Sequence, residues 1–264
     1  MTSLPVLGAR QGGIETKQFL RSRESVVFTM LFPVLLMAIF GAVFTQEIAP
    51  GVTLRQYFVT GMIASGLLVV GFQNLAIQIP IDRDRGVLKR LRGTPMPKAA
   101  YFLGKIILVL VIGVAETALL LAVANLFYGV DLPATGEKWL TFGWVSLLGI
   151  TACTLGGIAF SSLARSGRGA PAMVTPVALV LQFISGVFFV YTQLPSWMQQ
   201  VAAFFPLKWM CQGMRSVFLP DSFAAQEPAG SWELGRVALV LAAWCVGGLV
   251  LCLLTFRWTT KRDG

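Results

Sequence analysis

The chain has 264 residues, 56% of them hydrophobic and only 12% charged. Soluble domains carry about a quarter charged residues, so a water-soluble globular protein is excluded. The formal net charge is +9, with no histidine and four cysteines. The lack of histidine removes the commonest metal ligand and proton shuttle. Cys153, Cys211, Cys245 and Cys252 have no metal-ligand spacing, so neither a metal nor an outer disulfide is expected in this chain. The basic residues flank apolar stretches, where they set topology and meet anionic lipid rather than nucleic acid.

The first 25 residues are polar and hold no cleavable leader. Within them, Gly13 to Ser25 reads as an amphipathic helix lying on the inner membrane surface. Ile14, Phe19 and Leu20 would face lipid, and Lys17, Arg21 and Arg23 the headgroups. Six apolar stretches follow, each long enough to cross a hydrocarbon core of about 30 Å. They run over residues 26–45, 58–81, 101–128, 139–163, 171–191 and 237–258, with a short tail at 259–264. The expected fold is all-α and polytopic, a single transmembrane unit over residues 26–258.

The segment 194–219 is apolar enough to suggest a seventh span. It also holds Gln199, Gln200, Lys208, Gln212 and Arg215, and Pro206 breaks it in the middle. A charge at mid-bilayer costs about 2.5–3.5 kcal/mol on insertion scales. It is therefore read as a re-entrant outer hairpin of two short helices packed on the spans. With six spans and both termini inside, 16 of the 21 Lys and Arg residues fall on the inner side and 5 outside, a strong positive-inside bias.

Between the second and third spans lies a charged island, Asp82 to Lys98. Arg83, Asp84, Arg85, Lys89, Arg90 and Arg92 surround Val87, Leu88 and Leu91, with Gly86 as a turn and Thr94-Pro95 as a stop. One reading is a plain topology anchor. The other is a short helix on the inner face that offers its charges, and an apolar triplet, to a cytosolic partner. Within the spans, Glu116 is an isolated acid, either a functional group or a structural one. Asn74, Gln78 and Asp82 recur at i, i+4, i+8 beside Gln73, and Gln182 and Ser185 sit beside Phe183. These polar positions line either a pathway or helix–helix contacts.

The island resembles the "ERE-G-T-L-E-R-L-R-x-T-P" loop of type-2 ABC transporter permeases, especially actinobacterial drug-resistance exporters. Leu194-Pro195-Ser196-Trp197, Phe205-Pro206-Leu207 and Gly213-Met214-Arg215 are similar to that family's outer hairpin, and the N-terminal helix to its interface helix. This chain opens the loop with Asp82 and Asp84 around Arg83, and has Lys89 where the family has an acid. The resemblance implies a permease subunit of the bacterial plasma membrane, not an enzyme. It would pair with a second permease, identical or paralogous, and with two cytosolic ABC ATPases. The island would be the coupling helix. ATP and Mg²⁺ would sit on the ATPase, since Gly104-Lys105 lacks the rest of a phosphate loop. An ion-coupled carrier built on Glu116 is the alternative, but it predicts charges in several spans and inverted repeats. A lipid-modifying enzyme would need a catalytic cluster that the chain does not offer.

Overall fold

The computed structural model describes residues 3–93 and 97–255. Its helices are α1 (Leu4–Arg21), α2 (Arg23–Val26), α3 (Phe32–Val43), α4 (Leu54–Leu68), α5 (Asn74–Asp84), α6 (Val87–Arg92), α7 (Lys98–Tyr128), α8 (Gly136–Phe160), α9 (Ala170–Ile184), α10 (Ser196–Phe204), α11 (Pro206–Phe218) and α12 (Leu234–Thr255). A two-stranded hairpin, β1 (Glu47–Ala49) and β2 (Val52–Thr53), joins α3 to α4.

Among the described residues, five helical stretches are long and apolar enough to cross a membrane: Arg23–Val43, Leu54–Asp84, Ala99–Tyr128, Gly136–Phe160 and Leu234–Thr255. Two of them each contain one widened turn, Val27–Leu31 and Val69–Gln73. Such insertions shift side-chain register without breaking the helix. The stretch expected to be a fifth straight span differs. Its helix stops at Ile184 after 15 residues, and the backbone reaches Tyr191 without regular structure. Gly186, at φ +79°, makes the left-handed turn there that a residue with a Cβ rarely adopts.

The Leu54–Asp84 stretch is the centre of the bundle. Residues 57 to 68 are buried on every face, as expected of a helix apolar all round. It starts on a capping box in which Thr53 and Gln56 exchange side-chain to backbone bonds, worth about 1 kcal/mol. α3 and α12 lie outside and keep large apolar residues exposed, Phe32, Ile39, Leu239 and Leu253 among them.

α1 packs along α7. A Cβ at Gly8 would meet Leu103 at 2.3 Å, and one at Gly12 would meet Ile107 at 2.7 Å. The two contact points advance together, so the helices run in the same direction here. The buried seam of α1 is Gly8, Gly12 and Glu15, and Phe19 also packs on the main core. These positions share one helical face. The expectation that Phe19 faces lipid is therefore corrected. Ile14 and Leu20 stay exposed, beside exposed Lys17, Arg21 and Arg23.

α10 and α11 join at Phe205–Pro206, where proline ends one helix and opens the next. Residues 206 to 217 of α11 are buried throughout, packed among α4, α8 and α12.

Candidate functional site

At one end of the bundle the charged island is held in a fixed pose. α5 ends at Asp84 and Gly86, at φ +70°, turns the chain into α6. Leu88 is wholly buried, Val87 and Leu91 are half-buried, and Arg85, Lys89 and Arg90 are exposed. Arg92 ends α6; Thr94 and Pro95 lie outside the described residues. The expectation that Val87, Leu88 and Leu91 together fill a partner's pocket is corrected at Leu88, which is already enclosed by its own chain.

The acids of the island also turn inward. The Asp84 carboxylate accepts from the Gly167 backbone N–H at 2.6 Å, and Arg83 reaches the Ala164 carbonyl at 3.5 Å. Both bonds go to the connection between α8 and α9. A Cβ on Gly167 would lie 2.7 Å from the Ile81 backbone, so that connection presses directly on α5. Exposed Arg165 and Arg168 thus share this end with Arg85, Lys89 and Arg90.

Beneath the island lies a group that sequence reasoning missed. The Lys105 ammonium, on α7, donates to Asp82 on α5 at 2.8 Å and to Glu15 on α1 at 2.9 Å. Lys105 is 0% exposed, and its partners' side chains 10% and 11%. Gln78 donates to Asp82 at 2.9 Å and Gln11 to Glu15 at 3.0 Å. The Lys105 ammonium also lies 5.4 Å from the Tyr101 ring centre. Three helices are therefore tied at one buried point, directly behind the turn that presents α6. Lys105 reads in sequence as one more inner-side charge. The available signal was Glu15, an acid on the small-residue seam Gly8–Gly12.

The other candidate positions do not form one lumen. Gln182 accepts from Ser65 at 2.9 Å, while Gln73–Thr175 and Asn74–Thr29 are long pairs at 3.5 Å. Each joins two stretches of helix, and Gln78 donates to Asp82 beside the Lys105 ammonium. Ser185 is buried with its hydroxyl unpartnered. Phe183, 41% exposed, belongs to an aromatic file through Phe188, Phe58 and Phe40 at centroid spacings of 4.9, 6.0 and 5.0 Å. Glu116 is 1% exposed and packs on Gly66, and neither carboxyl oxygen has a partner among the described residues.

At the opposite end a second charged group surrounds α11. Arg215, 0% exposed, donates to both oxygens of Glu227, at 2.5 and 3.1 Å. Its guanidinium carbon stands 5.0 Å from the Tyr57 ring centre. Bidentate pairing of this kind is the strong form of an ion pair, and the Glu227 charge raises the Arg215 pKa against the opposing effect of burial. Among the described residues no group of three or more His, Cys, Asp and Glu could hold a metal ion.

Long apolar helices around a buried central stretch define a multi-span membrane protein. Its family is shown directly: the ABC-2 type transporter family matches residues 13–219, and the chain belongs to it. It is 24% identical over 250 residues to a Porphyra purpurea protein named as a transport permease, ycf38, covering 90% of this chain and 80% of that one. It is 24% identical over 216 residues to the inner membrane transport permease YadH of Escherichia coli K12, covering 78% and 81%.

Proposed function

We propose that this chain is the membrane subunit of an ATP-driven exporter. Two cytosolic ABC ATPases hold the ATP and Mg²⁺, and a second permease, identical or paralogous, completes the pathway. α6 is the coupling helix. The observation that carries this reading is the pose of the island: Lys89 and Arg90 are exposed on a helix whose base is fixed to α1, α7 and the α8–α9 connection. A solvated topology anchor needs no such scaffold. A force-transmitting element does, because a push on α6 must reach the spans through contacts that do not yield.

The positive-inside count supports cytoplasmic termini and an inner-side island, and the likeness to YadH supports a bacterial plasma membrane. Six crossings follow if α9 and the strip to Tyr191 together traverse the membrane, with α10 and α11 dipping into the outer leaflet and returning. α1, with Ile14 and Leu20 beside Lys17 and Arg21, borders the inner headgroups. The cargo is an amphipathic molecule such as a drug, an antibiotic or a lipid-like compound. Exposed Phe183 and Phe189, next to Gln182, supply an aromatic-and-amide face for it.

The test uses cells of the native host that overexpress the chain, loaded with an amphipathic dye. ATP depletion should stop efflux while a protonophore leaves it unchanged. The reverse pattern, with loss of efflux in Glu116→Gln, would instead establish the ion-coupled carrier.

A further inference from the structure

Three cations gather around α11: Lys208 and Arg215 stand on it, and the Arg236 guanidinium carbon lies 5.5 Å from the Trp209 ring centre. Glu227 is engaged by Arg215 at 2.5 Å, and Glu233 by Arg236 at 3.0 Å. Lys208 is left with a neutral partner, the side-chain carbonyl of Gln212. Its ammonium also lies 3.6 Å from the Trp209 ring centre and 5.3 Å from that of Tyr191. It makes no ion pair among the described residues. Only 3% of Lys208 is exposed. It stands in the first turn of α11, where the positive end of the helix opposes a cation.

A second observation points to the same spot. Arg215 Nη1 is buried and has no hydrogen-bond partner among the described residues. Gln212 and Arg215 follow Lys208 by four and seven residues, so all three lie on one face of α11. The two cations border one pair of tyrosines: Arg215 lies against Tyr57, Lys208 against Tyr191, and the Tyr57 hydroxyl accepts from the Tyr191 backbone N–H at 3.0 Å. A buried unpaired ammonium beside an unsatisfied guanidinium N–H is costly in an apolar setting. One anion would resolve both.

We propose that the corner between Lys208 and Arg215 binds one oxyanion headgroup of an amphipathic molecule, a phosphate diester or a carboxylate. The ammonium and Arg215 Nη1 are its donors, and Trp209 and Tyr191 flank its apolar part. Tyr191, in the short turn Tyr191–Gln193, borders this corner. Two sources share this chemistry, an acidic phospholipid of the bilayer and an acidic cargo. The inference does not depend on the ATPase reading.

The test uses the full chain purified in neutral detergent. Native mass spectrometry and thermal unfolding compare phosphatidylglycerol, phosphatidylcholine with the same acyl chains, inorganic phosphate at matched ionic strength, and a fluorescent fatty acid. Phosphatidylglycerol should be retained as one adduct and raise Tm where phosphatidylcholine does not. Lys208→Met should weaken that adduct about ten- to hundredfold, the loss of one hydrogen bond to a charged group, with no fall in Tm in phosphatidylcholine. Lys208→Arg should restore it. Selective retention of the fatty acid instead, with the same Lys208 dependence, supports the site and assigns it to cargo. If inorganic phosphate alone reproduces the Tm rise, the oxyanion is the recognised part. The proposal is overturned if neither acidic probe is preferred over phosphatidylcholine by the native chain, a comparison that needs no variant. It is also overturned if Lys208→Met or Lys208→Gln keeps the preference.

Discussion

Replacing Lys105 by methionine should destabilise the protein far more than any exposed charge change. The ammonium is 0% exposed and sits 2.8 and 2.9 Å from two carboxylates whose side chains are only 10% and 11% exposed. Methionine fills the same volume and leaves Glu15 and Asp82 facing each other in an apolar site. Removing one member of a buried ion group costs about 3–5 kcal/mol. Gln11 and Gln78 still donate to the two acids, which favours the lower end of that range. For a chain of this size about 1 kcal/mol moves Tm by 2–4 °C, so Lys105→Met should lower Tm by about 6–20 °C. The neutral triple variant Lys105→Met, Glu15→Gln, Asp82→Asn should recover most of the loss, because the penalty comes from uncompensated charge and not from packing. Thermal unfolding of the purified protein in one detergent reads both. A fall of less than about 3 °C for the single variant, or a triple variant as unstable as the single, would refute the triad as a buried joint.

Leu88→Ala should cost about 2–5 kcal/mol by opening a cavity, whereas Val87→Ala, at a half-buried position, should cost less; chemical denaturation compares them. Gly12→Leu should separate α1 from α7, since even a Cβ would lie 2.7 Å from Ile107, and limited proteolysis should then release the N-terminal segment. Glu116→Gln should leave ATP-driven efflux within about twofold and stability undiminished, because the carboxyl makes no bond to lose. Burial, reinforced by the Arg215 charge, lowers the Lys208 pKa to about 8 from 10.5, against the pull of Glu227 and Glu233 and with Arg236 adding to the lowering. Between those values the unfolded chain binds the extra proton, so stability should rise with pH from about 8 to 10.5 and level off above, by at most about 1.4 kcal/mol per pH unit. The rise should vanish in Lys208→Met and flatten when an acidic lipid is bound.

Much of the bundle is legible in the sequence because length and apolarity suffice to mark membrane helices. The break at Pro206 and the cations at Lys208 and Arg215 identify the α10–α11 hairpin for the same reason: a polar residue in an apolar stretch is conspicuous. α9 was harder. Val187, Phe188 and Phe189 continue the apolar run of Ala170–Ile184, but the helix stops where Gly186 takes a left-handed turn, and hydropathy carries no record of φ. The island was recognised by its charges, yet their direction was not. Asp82 and Asp84 look equivalent in sequence, while one is locked to Lys105 and the other to Gly167. Those bonds span 23 and 83 residues, a separation that local periodicity does not report. Leu88 likewise shares an apolar pattern with Leu91, and only the folded structure distinguishes them, burying Leu88 fully and Leu91 in part.

The most direct test of the central claim, that α6 engages an ATPase, is a pulldown from the native host. The tagged native chain is compared with Lys89→Glu, Arg90→Glu, two exposed changes that leave Leu88 and the ion triad intact. The account predicts that an ABC ATPase co-purifies with the native form and is lost from the variant, whose Tm is unchanged. Equal recovery of the ATPase with both forms, or none with either, would contradict it.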